Sequence, residues 1–340
     1  MKPEFEERYS RQVLFAAIGS KGQESLGASR VAVVGCGATG STLASLLARA
    51  GIGYLRIIDR DFVEPSNLQR QSLFDEKDAA ESIPKAVAAA AKIASFNSDV
   101  KVDSQVIDLR PENAGAILGG VDLLLDGTDN FETRYLINDY AVKNSVPWIY
   151  TAAVASYATT MNILPGETAC LSCVFPEEPR GAVETCDTAG ILNSAVNFAV
   201  SVAATEALKL LSGAKASLRR TLLSYDLWLN QRAEIAAGKP AEGCRTCVRR
   251  EFVHLAGEGR PQITLCGRNS VQIHEHSRPV DLVEMSQRLT PHGRVRQNGF
   301  MLKFSKDPYE LTLFPDGRAI IKGTTDPAIA RSFYARYIGS

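Results

Sequence analysis

Four cysteines in the sequence form two pairs with the same internal spacing. Cys170-Leu-Ser-Cys173 and Cys244-Arg-Thr-Cys247 each place two thiols three positions apart, the spacing of a zinc knuckle. Four thiolates give Zn²⁺ a closed tetrahedral shell with no position for water, which is typical of a structural ion. We therefore predict a structural zinc site, here called the zinc clip, that joins two distant segments. Four unrelated thiols are the alternative. The predicted ligands are Cys170, Cys173, Cys244 and Cys247.

A glycine-rich loop near the N-terminus has the spacing G-x-G-x-x-G, with glycines at positions 35, 37 and 40. It follows an apolar run that we predict to be a strand. Such glycines permit a tight turn and let backbone amides approach phosphate at the start of a helix. Asp59 stands at the end of the next predicted strand, where it can accept hydrogen bonds from ribose hydroxyls. These residues predict nucleotide binding and leave NAD and ATP open. An NAD-dependent oxidoreductase is therefore a rival interpretation.

Charged residues farther along the chain favour ATP. Arg70 lies in the polar loop Ser66-Asn-Leu-Gln-Arg70-Gln71, and Lys85 follows Pro84. Transfer of an adenylyl group places negative charge on the leaving pyrophosphate, which cations of this kind stabilise. Asp129, in Asp126-Gly-Thr-Asp129-Asn130, follows a predicted strand at the sheet edge where open α/β folds bind ligands. A carboxylate there can hold Mg²⁺ against a triphosphate. Taken alone, Arg70 and Lys85 would read as ordinary surface charge.

The other cysteines and the histidines give weaker signals. Cys186 precedes a long apolar stretch, and a helix start lowers the pKa of a thiol. Either a reactive thiol or a loop thiol without chemistry fits this position. Cys36 and Cys266 are interpreted as packing residues. His274-Glu-His276 would face one side of a strand, but a third metal ligand is missing.

Strands and helices alternate through the first half of the chain, beginning with the β-branched run Arg30–Val34. This alternation predicts an α/β fold with a doubly wound, mostly parallel, Rossmann-like sheet. We expect a domain over residues 1–250 that contains the nucleotide site and the zinc clip. A small α+β domain is predicted over residues 251–340, with Pro315-Asp-Gly as a turn between two of its strands.

Composition limits the classes of partner. Lys and Arg number 38, equal to the number of Asp and Glu. Balanced charge gives no electrostatic case for nucleic acid or an anionic membrane as the main partner. The N-terminus lacks the apolar core of a secretory signal. The least charged stretch, residues 188–205, is interpreted as a buried helix because it contains several polar residues. We expect a cytoplasmic protein.

Five motifs occur in one order: Arg8-Tyr-Ser-Arg11-Gln12, the glycine loop, Ser66–Gln71, Pro84-Lys85 and Asp126–Asn130. Together they resemble the ThiF/MoeB/ubiquitin-activating-enzyme superfamily, and the similarity extends to about Cys247. The resemblance implies that Asp59 binds ribose and that Asn67, Arg70 and Lys85 bind the phosphates. Asp129 would hold magnesium and be essential. Arg11 would reach the nucleotide site of the neighbouring subunit in a homodimer. The implied ATP-binding set is Arg11, Gly35, Gly37, Ala38, Gly40, Asp59, Asn67, Arg70, Lys85, Asp129 and Asn130.

The activity implied by the resemblance is ATP-dependent adenylylation of the C-terminal glycine carboxylate of a ubiquitin-like sulfur carrier ending in Gly-Gly. Arg70, Lys85 and Asp129 would carry this chemistry, and Cys186 would act in a later covalent step in the ThiF-like branch. A sulfurtransferase or cysteine desulfurase is a further expected partner. An ATP-dependent tRNA-modifying relative and a non-enzymatic scaffold are the remaining alternatives. The pathway served by the carrier stays open. The C-terminal domain resembles an extra domain of some bacterial ThiF-type proteins, and its position favours a role in carrier binding.

Overall fold

The computed structural model describes residues 3–176, 189–257, 263–265, 269–273 and 279–339. The chain divides into two compact units, Met1–Glu258 and Gly259–Ser340. Each unit has its own β-sheet and its own apolar core.

The first unit contains an eight-stranded sheet in the order β3-β2-β1-β4-β5-β6-β7-β8. Strands β1 to β5 pair in parallel, and β6, β7 and β8 continue the sheet in antiparallel pairs. The predicted doubly wound, mostly parallel sheet is thus confirmed. The strands are β1 (Arg30–Val34), β2 (Tyr54–Ile58), β3 (Lys101–Gln105), β4 (Leu123–Asp126), β5 (Trp148–Val154), β6 (Tyr157–Ile163), β7 (Thr221–Asp226) and β8 (Gln231–Ala236).

Helices cover both faces of this sheet. Alternate residues of β1 enter different cores, with Val31 and Val33 on one face and Ala32 and Val34 on the other. This two-sided burial explains the continuous apolar run of the strand. The helices are α1 (Pro3–Val13), α2 (Gly19–Ala28), α3 (Ala38–Ala50), α4 (Glu76–Ala80), α5 (Lys85–Phe96), α6 (Pro111–Leu118), α7 (Phe131–Asn144), α8 (Leu171–Val174) and α9 (Asn193–Leu211).

Helix α9 corresponds to the stretch predicted as a buried helix. It begins at Asn193, later than the predicted start at about residue 188. By length and composition α9 could cross a membrane, and about half of its apolar window is buried inside the protein. Its exposed stripe consists of polar side chains, among them Asn197, Ser201 and Thr205. This amphipathic arrangement is that of a helix packed on a sheet.

The second unit contains an antiparallel six-stranded sheet in the order β11-β12-β13-β14-β10-β9, with two helices. Apolar residues of the strands and of both helices form one core, as the predicted α+β pattern requires. The elements are β9 (Ile263–Leu265), β10 (Ser270–Ile273), α10 (Leu282–Leu289), β11 (Arg294–Gln297), β12 (Leu302–Lys306), β13 (Tyr309–Leu313), β14 (Ala319–Lys322) and α11 (Pro327–Tyr337).

Candidate functional site

Three glycines bring the ends of β1 and β4 into direct contact. Gly35 has φ +85°, and a Cβ there would lie 2.6 Å from the carbonyl oxygen of Gly127. A Cβ on Gly40 would lie 1.8 Å from the carbonyl oxygen of Gly35. Side chains at these positions would force the backbone segments apart. Gly35 and Gly40 therefore have a packing role, which fixes where α3 begins relative to the sheet edge.

Gly37 differs from its two neighbours because it borders open space. The nearest atom to an added Cβ would be Nε2 of Gln71, at 3.9 Å. Gly37 immediately precedes α3, so the amides at the start of α3 are free of side-chain caps. Gln71 is buried, and its Oε1 has no hydrogen-bond partner among the described residues. A phosphate group fits beside this helix start, which offers backbone donors and a positive dipole end.

Asp59 directly follows β2, and its carboxylate contacts the glycine loop. Its Oδ2 accepts a hydrogen bond from the amide of Cys36 at 2.6 Å, and its Oδ1 accepts one from the amide of Asp61 at 2.7 Å. Burial raises the pKa of Asp59, while the cation of Lys85 opposes the rise. The carboxylate is thus held rigidly at the end of the strand. Each oxygen retains a lone pair with which it can accept a hydroxyl.

Lys85 is a buried cation at the start of α5. Its Nζ lies 3.6 Å from Oδ2 of Asp61. Burial alone would lower the pKa of Lys85, but Asp59, Asp61 and Asp129 outweigh this effect and raise it. Lys85 is therefore charged at neutral pH and surrounded by carboxylates. A buried ammonium of this kind can bind phosphate as a point charge.

Arg70 lies half-buried in the loop after β2. Arg70 Nη1 donates to the carbonyl oxygen of Ser66 at 2.9 Å, which leaves the other guanidinium nitrogens available. Asn67 is buried, and its Oδ1 accepts from the amide of Glu64 at 3.1 Å. This bond caps the 3₁₀ turn Pro65–Asn67. Asn67 thus has a structural task in the loop in addition to the phosphate contact expected from the resemblance.

Asp126 and Arg134 form a buried ion pair beneath the loop that carries Asp129. Arg134 Nε lies 2.9 Å from Asp126 Oδ2, and Arg134 Nη2 donates to the carbonyl oxygen of Thr128 at 2.6 Å. Asp126 Oδ1 also accepts from the amide and the hydroxyl of Thr128. Burial alone would lower the pKa of Arg134, but Asp126 and other neighbours raise it. The pair thus fixes the backbone of the loop.

Asp129 itself is exposed next to this rigid support. Its Oδ1 accepts one bond, from Asn130 Nδ2 at 3.3 Å. Asn130 caps α7 by accepting from the amide of Thr133 at 2.9 Å. An exposed carboxylate on a fixed loop is available to a divalent cation, and its oxygen is the kind of ligand that Mg²⁺ prefers.

The carboxyl ends of β1, β2 and β4 thus bring most predicted nucleotide-binding residues to one sheet edge. We call this region the nucleotide edge and define it by Gly37, Asp59, Arg70, Lys85 and Asp129. Sequence reasoning missed the roles of Asp126, Arg134 and Gln71. Asp126 and Gln71 belong to the quoted motifs, but sequence alone does not show which polar residue points inward.

Arg11 lies in the last turn of α1 and is exposed. Among the described residues its side chain has no hydrogen bond or ion pair. Leu14 and Phe15 follow it, with 75% and 64% of their surface exposed. Large exposed apolar side chains beside an unpaired guanidinium are typical of an interface that a second protein covers.

The four predicted zinc ligands come together although about 70 positions separate the two pairs. Their sulfur atoms all lie within 4.8 Å of one another, with Sγ–Sγ distances of 3.8 Å for Cys170–Cys173 and 3.4 Å for Cys173–Cys247. A tetrahedral ion with Zn–S bonds of about 2.3 Å requires sulfur separations of about 3.8 Å. The described sulfurs therefore fit a Zn²⁺ ion.

Helix α7 supports both cysteine loops from below. Asn138 Oδ1 accepts from the amide of Leu171 at 2.9 Å, and Asp139 Oδ2 accepts from the amide of His254 at 2.9 Å. The hydroxyls of Ser172 and Thr246, one from each cysteine loop, lie 3.0 Å apart. These four residues of the cysteine loops are buried or half-buried, so the zinc clip rests on a buried polar network.

Asp139 anchors the second loop most directly. Its Oδ1 accepts from the hydroxyl of Thr246 at 3.3 Å, and its Oδ2 also accepts from the amide of Leu255 at 3.3 Å. Burial raises the pKa of Asp139 to about 6, although these hydrogen bonds act in the opposite direction. The anchoring was not anticipated from the sequence, because an acidic residue in mid-helix gives no signal of burial.

Some predicted residues lie outside the described part of the chain. These are Cys186, Cys266, His274 and His276. The argument that a helix start follows Cys186 directly is wrong, because α9 begins only at Asn193 and the helix dipole acts within the first turn. Cys36 is fully buried in a core, as predicted.

Comparisons with known proteins agree on one family. The model of the ThiF family matches residues 9–246. The "Sulfur carrier protein ThiS adenylyltransferase" of Bacillus subtilis (strain 168) is 43% identical over 336 residues, which cover 98% of this chain and 99% of that protein. The "SAMP-activating enzyme E1" of Haloferax volcanii is 37% identical, covering 65% of this chain and 81% of that protein.

Solved structures show the same fold at lower identity. The crystal structure of E. coli MccB with ATP has a TM-score of 0.61 and 22% sequence identity, covering 71% of this chain and 74% of that chain. A complex of E. coli MccB with MccA-N7isoASN has a TM-score of 0.63. At 22% sequence identity, the similarity between this chain and MccB shows a shared fold.

Proposed function

The chain belongs to the ThiF family, and from this membership we propose that it is an adenylyltransferase for a ubiquitin-like sulfur carrier. The carrier's C-terminal glycine carboxylate attacks the α-phosphorus of ATP. The bond to the bridging oxygen breaks and pyrophosphate leaves, so an acyl-adenylate forms. The identity of 43% over nearly the whole length of a ThiS adenylyltransferase supports this substrate class.

The observation that carries the proposal is the convergence of cations and a free carboxylate on the nucleotide edge. A dehydrogenase needs the glycine loop and Asp59 to bind its dinucleotide. It has no use for the buried ammonium of Lys85 or for the exposed Asp129 on its ion-paired support. Both groups suit a reaction in which negative charge grows on a leaving pyrophosphate.

Positioning and charge neutralisation are sufficient for this reaction. A C-terminal carboxylate has a pKa of about 3.5 and is already ionised at neutral pH, so no side chain has to act as a base. In the proposed arrangement Asp59 binds the ribose, while Lys85, Arg70 and Asn67 bind the phosphates. Gly37 and the first turn of α3, with Ala38, would face the phosphates, while Gly35 and Gly40 hold this helix start against the sheet edge. Asn130 helps to hold Asp129 in place.

Two metal ions belong to the proposal. Asp129 is the group that would hold Mg²⁺, which would neutralise phosphate charge. The four cysteines would hold Zn²⁺ in a closed site that stabilises the fold and does no chemistry. Their sulfur separations support zinc.

We propose a homodimer in which Arg11 completes the nucleotide site of the partner subunit. The support is the unpaired, exposed guanidinium next to exposed Leu14 and Phe15. Burial of the two apolar side chains would stabilise such a dimer, and Arg11 would add a positive charge at the pyrophosphate.

Sulfur delivery lies downstream of adenylylation. A sulfurtransferase or cysteine desulfurase would transfer a sulfane sulfur from its own persulfide to the thiol of Cys186. The outer sulfur of the resulting Cys186 persulfide would attack the carbonyl carbon of the acyl-adenylate, so that AMP leaves and an acyl disulfide joins the carrier to Cys186. This reaction would take place in the cytoplasm.

Exchange of labelled pyrophosphate into ATP tests the proposed activity. We expect exchange only when Mg²⁺ and a purified Gly-Gly-ending carrier are both present. A matched carrier that lacks its final glycine is the control and should give none. Preferential binding of NADH over ATP would contradict the proposal and favour the oxidoreductase. Adenylylation of tRNA in place of a carrier would favour the tRNA-modifying relative.

A further inference from the structure

One face of the sheet in the second unit is rich in cations. Leu302 and Phe304 of β12 enter the core with the helices, so Lys303, between them, points to the opposite face. Neighbouring strands extend this face: Arg296 stands opposite Lys303, and Arg294 stands opposite Ser305. Lys322 of β14 lies in the same row as Arg294, separated from it by Ser305 and Glu310. We define the basic face as Arg294, Arg296, Lys303 and Lys322.

The basic face lines a cavity of about 440 Å³. Its other charged lining residues are Asp307 and Glu310. Arg294 and Arg296 are exposed. Among the described residues the side chains of these two arginines have no hydrogen bond or ion pair. Two guanidinium groups on adjacent positions of one face are thus available to an external anion.

Arg296 of β11 and Lys303 of β12 stand directly opposite each other on one face of the sheet. Side chains directly opposite each other on antiparallel strands lie about 5 Å apart at their Cβ atoms, and like charges at this distance destabilise the sheet. An anion placed between the two cations would reverse this repulsion. A like-charged pair on a small sheet is therefore the arrangement expected of a binding surface.

Protection of a sheet edge is the simpler explanation for charged residues on a strand, and it accounts for part of the pattern. β11 is an edge strand, and charges on edge strands prevent pairing with other chains. However, Lys303 and Lys322 belong to β12 and β14, which are interior strands.

The second unit as a whole has an excess of positive charge. Residues 259–340 contain twelve Lys and Arg against seven Asp and Glu, although the full chain is balanced. The rest of the chain consequently has an excess of acidic residues. Positive charge is concentrated in the second unit, where it would attract an acidic partner and raise its rate of association.

We propose that the basic face is a docking site for an acidic surface of the carrier protein. This inference rests on the proposed function, and it assigns a part of carrier recognition to residues outside the nucleotide edge. The carrier's acidic side chains would pair with Arg294, Arg296, Lys303 and Lys322.

A protein surface fits the basic face better than nucleic acid does. Glu310 lies between Ser305 and Lys322 in the row of cations, and Asp307 lines the same cavity. Two carboxylates would repel a continuous phosphate backbone, whereas a protein can present a basic group to them. The aromatic ring in the cavity lining, Tyr309, is half-buried and does not offer an open face for stacking a base.

The test is an Arg296→Glu variant of the full-length protein. This change converts the like-charged pair with Lys303 into an opposite-charged pair, so the fold should be as stable as the wild type or more stable. In pyrophosphate exchange at low salt, we expect the KM for the carrier to rise about tenfold. The kcat and the KM for ATP should stay unchanged, and the difference should shrink in 0.5 M salt because of screening.

Lys306→Glu is the matched control. It makes the same change of charge on β12, but Lys306 lies 5.5 Å from the ring of Tyr337 on the helix-covered side of the sheet. Its KM for the carrier should stay within about twofold of wild type. Equal effects of the two substitutions, or no effect of Arg296→Glu, would overturn the proposal.

Direct binding separates this proposal from the proposed activity. Poly-L-glutamate and poly(U) would be titrated against the wild type, Arg296→Glu and Lys306→Glu proteins. Binding of poly-L-glutamate that Arg296→Glu alone weakens supports an acidic-protein site, even if no carrier gives exchange. Binding of poly(U) in preference to poly-L-glutamate, weakened by the same substitution, would overturn it in favour of nucleic acid.

Discussion

Helix α7 connects two regions whose polar groups are arranged in opposite ways. At its N-terminus, the nucleotide edge presents Asp129, Arg70 and the start of α3 to solvent. Farther along the helix, Asn138 and Asp139 bond to the two cysteine loops of the zinc clip inside a buried network. The two regions share one rigid element but differ in how completely the chain satisfies its own hydrogen bonds.

This difference in hydrogen bonding distinguishes residues that stabilise the fold from residues whose polar groups are available to a ligand. Around the zinc clip, Asn138 and Asp139 accept hydrogen bonds from amides of the two cysteine loops. A substitution of either residue leaves a buried amide unpaired and destabilises the protein. At the nucleotide edge the free groups are on the outside, and their support is one layer below, in Asp126 and Arg134. Substitutions of exposed groups should therefore change activity with little effect on stability.

The largest effect is expected for Asp129→Ala. Because Asp129 is exposed and accepts a single weak hydrogen bond, its loss should leave the melting temperature unchanged. Pyrophosphate exchange should fall by about 100-fold or more, as for removal of a group that stabilises transition-state charge. Asp126→Ala is the contrasting variant, because it leaves the buried Arg134 unpaired and should cost about 3–5 kcal/mol of stability. Normal exchange by Asp129→Ala would contradict the magnesium assignment.

Removal of zinc should have the next largest effect, and on stability first. We expect one zinc per chain in freshly purified, reduced protein, measured by metal analysis. Chelation should lower the melting temperature before it lowers exchange at a temperature where the protein is still folded, since a closed site contributes folding energy. Cys173→Ser should lose the metal, whereas Cys266→Ser should retain it. Metal-free protein with an unchanged melting temperature would show that the clip is four free thiols.

Mixing two inactive variants tests whether the nucleotide edge is completed by a second subunit. Arg11→Ala has an intact Asp129, and Asp129→Ala has an intact Arg11. If Arg11 acts across a dimer, each mixed dimer has one complete site, and an equal mixture should recover about a quarter of the wild-type exchange rate. Subunit exchange would be verified by mass spectrometry of labelled chains. Verified mixed dimers without activity would mean that Arg11 does not act in the partner's site.

A smaller effect is expected for Asp139→Asn, which tests the buried hydrogen-bond network that supports the zinc clip. The pKa of Asp139 is about 6 in the folded protein and about 3.9 in an unfolded chain. Folding therefore takes up a proton between these values, and Asp139 makes the protein relatively more stable as the pH falls from 7 towards 4. At pH 5 this gain is about 1 kcal/mol. Denaturant unfolding should show the wild type gaining on Asp139→Asn by this amount between pH 7 and pH 5, and parallel profiles would contradict it.

The smallest effect on exchange is expected for Cys186→Ala. Adenylylation does not use a thiol, so the exchange rate should stay within about twofold of wild type. Sulfur delivery to the carrier should fall, and a reductant-sensitive adduct seen by intact mass in the wild type should disappear. Cys36→Ser would serve as a thiol control, since Cys36 is buried in a core. Sulfur delivery at the wild-type rate by Cys186→Ala would make this thiol a bystander.

The sequence predicts the central sheet well because β1 and β2 are apolar on both faces. It does not predict β3 or β8, since Lys101–Gln105 and Gln231–Ala236 are polar edge strands without an apolar pattern. β3 and β8 form because they pair with β2 and β7, which lie next to them in the folded sheet. The local sequence of a strand does not show such pairing.

The sequence also predicted only some of the residues of the candidate site. Asp59, Lys85 and the cysteines have types and spacings that restrict their chemistry. Asp126 and Arg134, in contrast, are charged residues that become supports only because β4 and α7 bury them together. The sequence reveals the chemical groups, whereas the burial that sets their roles depends on tertiary packing.

Helix α7 has a consequence for amide hydrogen exchange. Its 14 residues extend about 20 Å, and its backbone bonds open most easily from an end that has lost its contacts. Without zinc, the cysteine loops no longer hold Asn138 and Asp139, so protection should be lost first in the turns nearest Asn144. The amides from Arg134 to Asn138, which have acceptors within the helix and lie next to the Asn130 cap and the Asp126–Arg134 pair, should exchange last. A gradient of amide protection along α7 would therefore indicate whether the zinc clip contains its metal ion.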